Sequence, residues 1–515
     1  MPYKKLLFTF LSFSLTFLIH GQNFSSNLEK EIFSSYAKDS INYDFIESLF
    51  AMDSIIDKEE ILERKEKIKS LIKTFPEKEN SDKKEKKRIK KIYNSIHDTF
   101  FTKYNLNSYF SDIFKDGTYN CVTATAMYAY VFDELNIPYH IKETPSHVFL
   151  IAYPNSFNIY LETTAPGAYG FSIPKEPEVK KIIDELIAYK IVTKNEVNEK
   201  GYMQFYEDYY YGKEFIDKSA LIGMQYYNKG LSKLESLDYD TSLNNFRKAK
   251  TFYSSPLIKP LLKSIMFVKV NELVFNSLDD IDFLIELLSI ANYPKDYSLS
   301  NLKSSLYKIV EHDDNDSEFI LNTIEKFRSI KNDKVKNEAI EFLYEYLGRK
   351  AASNSEYDEA IIHADSILKI NSNSKIAKEI VEFTIFRKVA YSLYDIKALN
   401  SFLESSNKYE FLKTDRRYFI SLAHFYGNLS LMNYKSKSIT TAKNYRDKFE
   451  DIMDTNNILD EINKVLIVDL YLRAGNYYYY KGKYQSSYNI YNKGLTYIPN
   501  HPDLMKRAQW SKDEL

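Results

Sequence analysis

Glycine and proline, the residues that end helices and make tight turns, are scarce in this chain: there are 13 of each in 515 residues, where roughly 7% and 5% are usual. Helical stretches therefore meet few breakers, and a mainly α protein is expected. A 44% hydrophobic and 27% charged composition is that of a globular chain and excludes wholesale disorder. The length leaves room for about three domains, each with its own core. Aromatic residues reach 16%, with 45 Tyr and 34 Phe, a supply of large anchoring side chains that suits stacked helices. Lys and Arg number 70 against 71 Asp and Glu, for a net charge of -1. Without an overall positive field, no nucleic acid is expected among the partners.

The first residues carry Lys4 and Lys5, then an apolar run from Leu6 to Ile19, then His20 and Gly21. This is the layout of a signal peptide over residues 1–21. The run is shorter than the roughly 20 residues a spanning helix needs, so no transmembrane anchor is expected in the mature chain. No cysteine stands at the junction to carry a lipid. Export to a periplasm or beyond the cell is the expectation. The last residues, Lys512, Asp513, Glu514 and Leu515, spell a retention signal in a cell with an endoplasmic reticulum, whose lumen is the alternative compartment. Cys121 is the one cysteine, so no disulfide can form within the chain.

After the leader, Ile46, Leu49, Phe50, Ile55, Ile56, Ile61, Leu62, Ile68, Leu71 and Ile72 recur at helical spacing up to Pro76. The segment from Glu77 to Lys91 is a charge run, with Lys83, Lys84, Lys86, Lys87, Arg88, Lys90 and Lys91 against Glu85. No aromatic residues interleave to stack on bases, so it reads as a solvated linker and first helical turn. Residues 22–91 form the expected N-terminal helical segment. Residues 92–180 hold the one β-rich stretch and form a small α+β domain. Residues 181–515 return to helices.

Within that last region Gly475, Tyr478, Gly482, Tyr484, Ser487, Tyr491, Gly494 and Pro499 fill the small, aromatic and proline positions of the tetratricopeptide repeat. A second copy is suggested by Gly230, Tyr239, Ser242, Phe246 and Ala249, and a third by Gly348, Tyr357 and Ala360, with Ala364 where an aromatic belongs. The segments Ile258 to Lys331 and Tyr409 to Phe449 are helical without the pattern, so divergent repeats and a plain α-solenoid are both open there. The region resembles tetratricopeptide-type repeats, which implies an α-solenoid with a protein or peptide partner on its Tyr-rich concave face.

Candidate chemistry gathers around Cys121. Gly117 marks a turn, Asn120 is a good N-cap, and a helix is expected from there to Leu135. A thiol in the first turn sits where unpaired N–H groups and the helix dipole favour the thiolate. The rival reading of a lone cysteine is a buried packing residue. Downstream, His147 to Glu162 reads as two strands around a type I turn at Tyr153-Pro154-Asn155-Ser156. Pairing Tyr153 with Ser156 puts Leu150 opposite Ile159, Phe149 opposite Tyr160 and His147 opposite Glu162, so the last two share a face. Thiol, imidazole and carboxylate are the parts of a cysteine nucleophile triad.

These residues resemble the transglutaminase-like superfamily, with its papain-type arrangement, over about Tyr93 to Phe171. The motifs are Gly117 to Cys121, Ser146-His147-Val148 and Leu161-Glu162-Thr163-Thr164. The resemblance implies Cys121 as nucleophile, His147 as base and then acid, Glu162 as the orienting carboxylate, and an acyl-enzyme resolved by water or an amine. Glu162 departs from the family's usual Asp, and the family's upstream Trp is missing, since Trp510 is the one tryptophan. The backbone N–H of Cys121 is a candidate oxyanion donor and Asn120 a weaker second. His97, His140 and the acidic turn His312, Asp313, Asp314, Asp316 and Glu318 lack metal-ligand spacing; no metal or cofactor is expected. The reading is an exported, cysteine-dependent acyl-transfer enzyme acting on a peptide or amide, by hydrolysis or transglutamination, beside a helical scaffold that binds a partner. Its alternative is a non-catalytic interaction protein that keeps the transglutaminase-like fold as a recognition module.

Overall fold

The computed structural model describes residues 22–144, 147–156, 159–164, 176–188, 192–211 and 215–515. The expected leader over residues 1–21 lies outside the described residues, as do Ser146 of the histidine motif, and Phe157 and Asn158 of the expected hairpin. Helix accounts for 71% and strand for 4%, so the protein is mainly α with a small sheet. Two compact units divide the chain, one ending at Glu272 and one beginning at Leu273. The boundary expected after residue 180 thus falls inside the first unit.

The first unit opens with α1 (Asn27–Lys38), α2 (Phe45–Phe50), α3 (Lys58–Ile72) and α4 (Asp82–Phe100). Ser26, Asp44 and Asp57 each accept a first-turn N–H of the helix that follows, the capping that short polar side chains supply. Helix α4 corrects the reading of the charge run. The expected linker up to residue 91 is helical from Asp82 onward, because Ile89, Ile92, Tyr93, Ile96 and Phe100 recur at helical spacing and are all buried. Glu85 and Arg88 are buried with them as a 2.7 Å ion pair, while Lys83, Lys84, Lys86, Lys87, Lys90 and Lys91 stay exposed.

Next come β1 (Lys103–Tyr104), α5 (Asp112–Lys115), β2 (Thr118–Tyr119) and α6 (Cys121–Glu134). Helix α6 is the centre of the unit. Ala124, Ala126, Met127, Tyr128, Ala129, Val131 and Phe132 are all 0% exposed, as are Thr123 and Thr125, so up to its last turn the helix is enclosed by protein. It packs on β3 (Tyr139–Thr144) and β4 (His147–Ala152), which with β5 (Ile159–Leu161) make an antiparallel sheet in the order β3-β4-β5. Helices α7 (Glu176–Ala188), α8 (Lys194–Lys200) and α9 (Tyr202–Tyr211) share a small core around Ile183, Val197 and Phe205. Helices α10 (Lys218–Glu235), α11 (Tyr239–Phe252) and α12 (Ile258–Glu272) complete the unit, with α10 packed on α6.

The sheet register differs from the expectation by two residues. Leu150 pairs with Leu161, Ile151 with Tyr160 and Ala152 with Ile159. The expected turn is present, with Ser156 N–H donating to Tyr153 O at 3.1 Å, but it does not close the ladder. Tyr153 is held elsewhere: its N–H donates to Pro138 O at 2.8 Å, its hydroxyl to the buried Glu85 at 2.7 Å, and its φ is 52°. A residue in that left-handed conformation leaves the strand.

One buried ion pair ties the chain's first described residues to the end of the unit. Glu29 is 1% exposed. One of its oxygens accepts from Ser25 N–H at 2.6 Å and Ser25 Oγ at 2.9 Å, the other from Tyr226 Oη at 2.9 Å and Lys248 Nζ at 2.8 Å. Removing two charges from water is tolerable only with such complete pairing. Gln22 Nε2 donates to Arg247 O, and the backbone of Asn23 exchanges two hydrogen bonds with Asn244, so residues 22–29 lie along α11.

The second unit is helical: α13 (Leu278–Ile290), α14 (Leu299–Glu311), α15 (Ser317–Phe327), α16 (Asp333–Ser353), α17 (Tyr357–Ile370), α18 (Lys375–Ala390), α19 (Ile396–Lys408), α20 (Arg416–Lys435), α21 (Ile439–Asn456), α22 (Lys464–Tyr479), α23 (Tyr484–Tyr497) and α24 (Pro502–Asp513). Among the described residues no helix is long and apolar enough to cross a membrane.

Four helix pairs share one joint, three of them in this unit. The pairs α10–α11, α16–α17, α20–α21 and α22–α23 turn at Leu237, Ser355, Lys437 and Gly482, all with positive φ. Seven residues before each joint stands Gly230, Gly348, Ser430 or Gly475, and five after it Ser242, Ala360, Ala442 or Ser487. Ser242 Oγ donates to Gly230 O at 2.8 Å and Ser487 Oγ to Gly475 O at 2.9 Å, while in α20–α21 the hydroxyl has changed sides and Ser430 Oγ donates to Ala442 O at 2.7 Å. The segment expected to lack the pattern therefore contains a fourth pair, disguised by Ser430 in place of glycine and Arg446 in place of an aromatic.

Helix approach at these joints depends on the missing side chain. A Cβ on Gly475 would stand 2.3 Å from Cε1 of Tyr491, and overpacking of this kind costs about 1–3 kcal/mol. Gly475→Ala is expected to lower the stability measured by urea unfolding by that amount. A loss below about 0.5 kcal/mol would show that the pair spreads without cost.

Candidate active site

Cys121 is the first residue of α6 and 7% exposed. Its placement is fixed by a reciprocal cap. Asn120 Oδ1 accepts Thr123 N–H at 2.9 Å, and Thr123 Oγ1 accepts Asn120 N–H at 2.9 Å, which stops the helix from starting earlier or later. Asn120 Nδ2 donates to Leu106 O at 2.9 Å and Ser108 O at 2.8 Å. Both ends of that amide are engaged, so the oxyanion role expected of Asn120 has no donor left to perform it. Just upstream, Gly117 has φ 78°, and a Cβ there would run into Thr102; the sharp approach to the cap needs glycine.

The imidazole of His147 comes from the first residue of β4. Its Nε2 lies 2.7 Å from Glu162 Oε2, and Cys121 is near enough to act on its titration. The strand register accounts for the longer acid at residue 162. Continuing the ladder one step beyond Leu161 would set Glu162 beside Phe149, so its carboxylate reaches His147 along a diagonal rather than straight across. A shift of two residues keeps both side chains on the same face, whereas a shift of one would have separated them.

Several residues outside the sequence reading hold this acid. Glu162 Oε1 accepts Thr164 N–H at 3.0 Å and Thr164 Oγ1 at 2.6 Å. Tyr93 of α4 donates to Glu162 O at 2.5 Å and stacks on Tyr128 of α6 at 5.2 Å. Thr125 Oγ1, one turn along α6 from Cys121, lies 3.1 Å from both Val148 O and Thr163 Oγ1. The threonines of Leu161-Glu162-Thr163-Thr164 were visible in the sequence; their partners on α4 and α6 required the fold. Tyr104 was also missed. It stands edge-on to Tyr119 at 5.9 Å, on a strand of two residues that is too short to carry a periodicity.

Electrostatics favour charge on both partners. Burial works against a charged His147, but its interactions with Cys121 and with the Glu162 carboxylate outweigh it and push the imidazole up to about 10. Burial likewise opposes a charged Glu162, yet the bond and charge of His147 and the two donors of Thr164 hold its carboxyl below the ordinary value.

The remaining histidines do other things. His97 packs edge-on against Phe101 and Tyr119 at 5.6 and 5.8 Å, His140 stacks on Phe215 at 4.2 Å, and His312 Nδ1 accepts the N–H of Asp314 at 3.2 Å. Among the described residues no three His, Cys, Asp or Glu side chains converge where a metal ion could sit.

The opposed shifts give a pH signature. An imidazole raised on folding stabilises the protein fully below its unfolded value of 6.5 and loses that contribution as pH climbs through about 10. A carboxylate lowered on folding contributes above 4.5 and loses it as pH falls through its folded value. Glu162→Gln is therefore expected to depress the melting temperature most between 4.5 and 6.5, with the gap to wild type narrowing towards acid and above about pH 10. Thermal melts across this range test it, and a gap independent of pH would mean that the two groups are not charged together.

No protein-family model matches the chain, and no curated protein matches it.

Proposed function

We propose that the protein is an exported cysteine-dependent acyl-transfer enzyme, with Cys121 as nucleophile, His147 as base and acid, and Glu162 as the carboxylate that orients the ring. The observation that carries this reading is that the His147 imidazole lies 2.7 Å from the Glu162 carboxylate, with the chain's one thiol near enough to act on its titration. Proton transfer within such a chain supplies typically 10²- to 10⁴-fold in rate. The thiolate adds to the carbonyl carbon of a peptide, amide or ester; the leaving group departs with the proton from His147. His147 then takes a proton from water or an amine, which attacks the thioester and frees Cys121. Hydrolysis and transglutamination differ only in that second nucleophile. Export rests on the leader-like layout of residues 1–21, and the helix pairs of the second unit offer surfaces on which a peptide or protein could dock.

One observation favours the second reading, a non-catalytic interaction protein: Cys121 is only 7% exposed, so a substrate must reach a thiol that is nearly covered. Acylation by p-nitrophenyl acetate separates the two. Wild type is expected to show a burst of p-nitrophenolate and a thioester on the Cys121 peptide by mass spectrometry. Cys121→Ala is expected to abolish both, and His147→Ala to slow the burst at pH 7 by about 100-fold or more. A wild-type thiol that acylates no faster than free cysteine and ignores the His147 change would make the interaction reading the better one.

A further inference from the structure

The carboxylate of Glu162 is divided between two neighbours. Oε2 faces His147 Nε2 at 2.7 Å. Oε1 takes both donors of one residue, the N–H of Thr164 at 3.0 Å and its Oγ1 at 2.6 Å. With one oxygen held twice by the same residue, turning the carboxylate about its last torsion would break two hydrogen bonds to a charged group at once. Glu162 needs such a hold more than an aspartate would. Its side chain has one more rotatable bond to freeze, and it reaches His147 along a diagonal of the sheet.

Thr164 is itself fixed from outside, because each residue of 162–164 is tied to a different element. Tyr93 Oη of α4 donates to Glu162 O at 2.5 Å, Thr125 Oγ1 of α6 lies 3.1 Å from Thr163 Oγ1, and Tyr119 Oη of β2 donates to Thr164 O at 3.4 Å. Thr163 is fully buried between its neighbours. The hydroxyl of Thr164 is thus presented from a backbone that three other elements hold in place, the kind of support that keeps a functional side chain in one geometry. We propose that Thr164 is a positioning residue, whose hydroxyl locks the Glu162 carboxylate in the rotation that sets Oε2 against His147 and so lets a glutamate orient the imidazole.

Where rates are concerned this rests on the acyl-transfer reading; the hold on Glu162 and His147 rests on the distances alone. Thr164 keeps its proton throughout, since its hydroxyl acts only as a donor to the carboxylate. Burial by itself would raise the Glu162 carboxyl, but His147 and, after it, the hydroxyl and N–H of Thr164 bring it below the ordinary value. A donor to the charged form favours that form, and a fixed carboxylate in turn favours the imidazolium beside it. Tyr93, Tyr104 and Tyr119 also feel the Glu162 charge. Burial first, and negative charge after it, pushes their hydroxyls up, so they stay neutral where the carboxylate titrates.

Two measurements on the full chain, each made on Thr164→Val and Thr164→Ser, isolate the hydroxyl. The first is the titration of His147 by NMR, its ring signal identified by its loss in His147→Gln. Thr164→Val is expected to titrate below the wild-type value of about 10, and Thr164→Ser at it. A midpoint that Val leaves in place would overturn the proposal, whether or not the protein turns over. The second is the burst with p-nitrophenyl acetate, expected to slow about 10-fold in Thr164→Val and to stay within about 3-fold of wild type in Thr164→Ser. Equal slowing in both would make the shape of the threonine the requirement and overturn the role of its hydroxyl. A wild type without a burst, whose His147 midpoint still falls in Thr164→Val, would remove the acyl-transfer reading and leave the hold of Thr164 on the pair standing.

Discussion

The carboxamide of Asn120 uses its oxygen to cap α6 and its nitrogen to grip two carbonyls of the loop after β1. Its side chain is 1% exposed, so none of these bonds has water as a ready substitute, and losing one would strand a buried polar group. Through them one residue decides where the helix starts, which side chain occupies its first position, and where the strand carrying Tyr104 lies. Asn120 and Thr123 satisfy each other, so neither has a reason to rotate. Cys121, its helix and its neighbouring strand are thereby tied into one piece.

Glu162 and His147 are held by a different set of contacts that converge on the same helix. Thr125 reaches the strand of His147 and the segment after Leu161, and Tyr128 stacks on the tyrosine that holds the carbonyl of Glu162. Helix α6 thus presents the thiol from its first turn and positions the other two groups from its second. Elements far apart in sequence meet because one apolar helix passes between them.

Much of this was legible beforehand, for reasons that differ from residue to residue. The cap at Asn120 and the helix after it follow from local chemistry, and the shared face of His147 and Glu162 follows from the period of two in a strand. That face is correct although the register is off by two residues, since strand parity is all the face depends on. The register itself could not be read, because Tyr153 leaves the ladder for Pro138 and Glu85, contacts that no local pattern announces. The charge run that opens α4 misled through its lysines; the stripe of Ile89, Ile92 and Ile96 was the stronger signal. The pair α20–α21 went unseen because moving a hydroxyl from one helix to the other keeps the joint and changes the letters.

Glu29 and Lys248 are separated by 219 positions along the chain. During synthesis the first helix emerges long before the lysine that neutralises its carboxylate, and for that interval Glu29 has water in place of its buried partners. Closing so large a loop is slow compared with forming local helices. The first unit therefore has a built-in checkpoint in time: its start cannot be sequestered until nearly all of it has been made, and a chain interrupted before α11 is left with an open end for a chaperone or a protease to find.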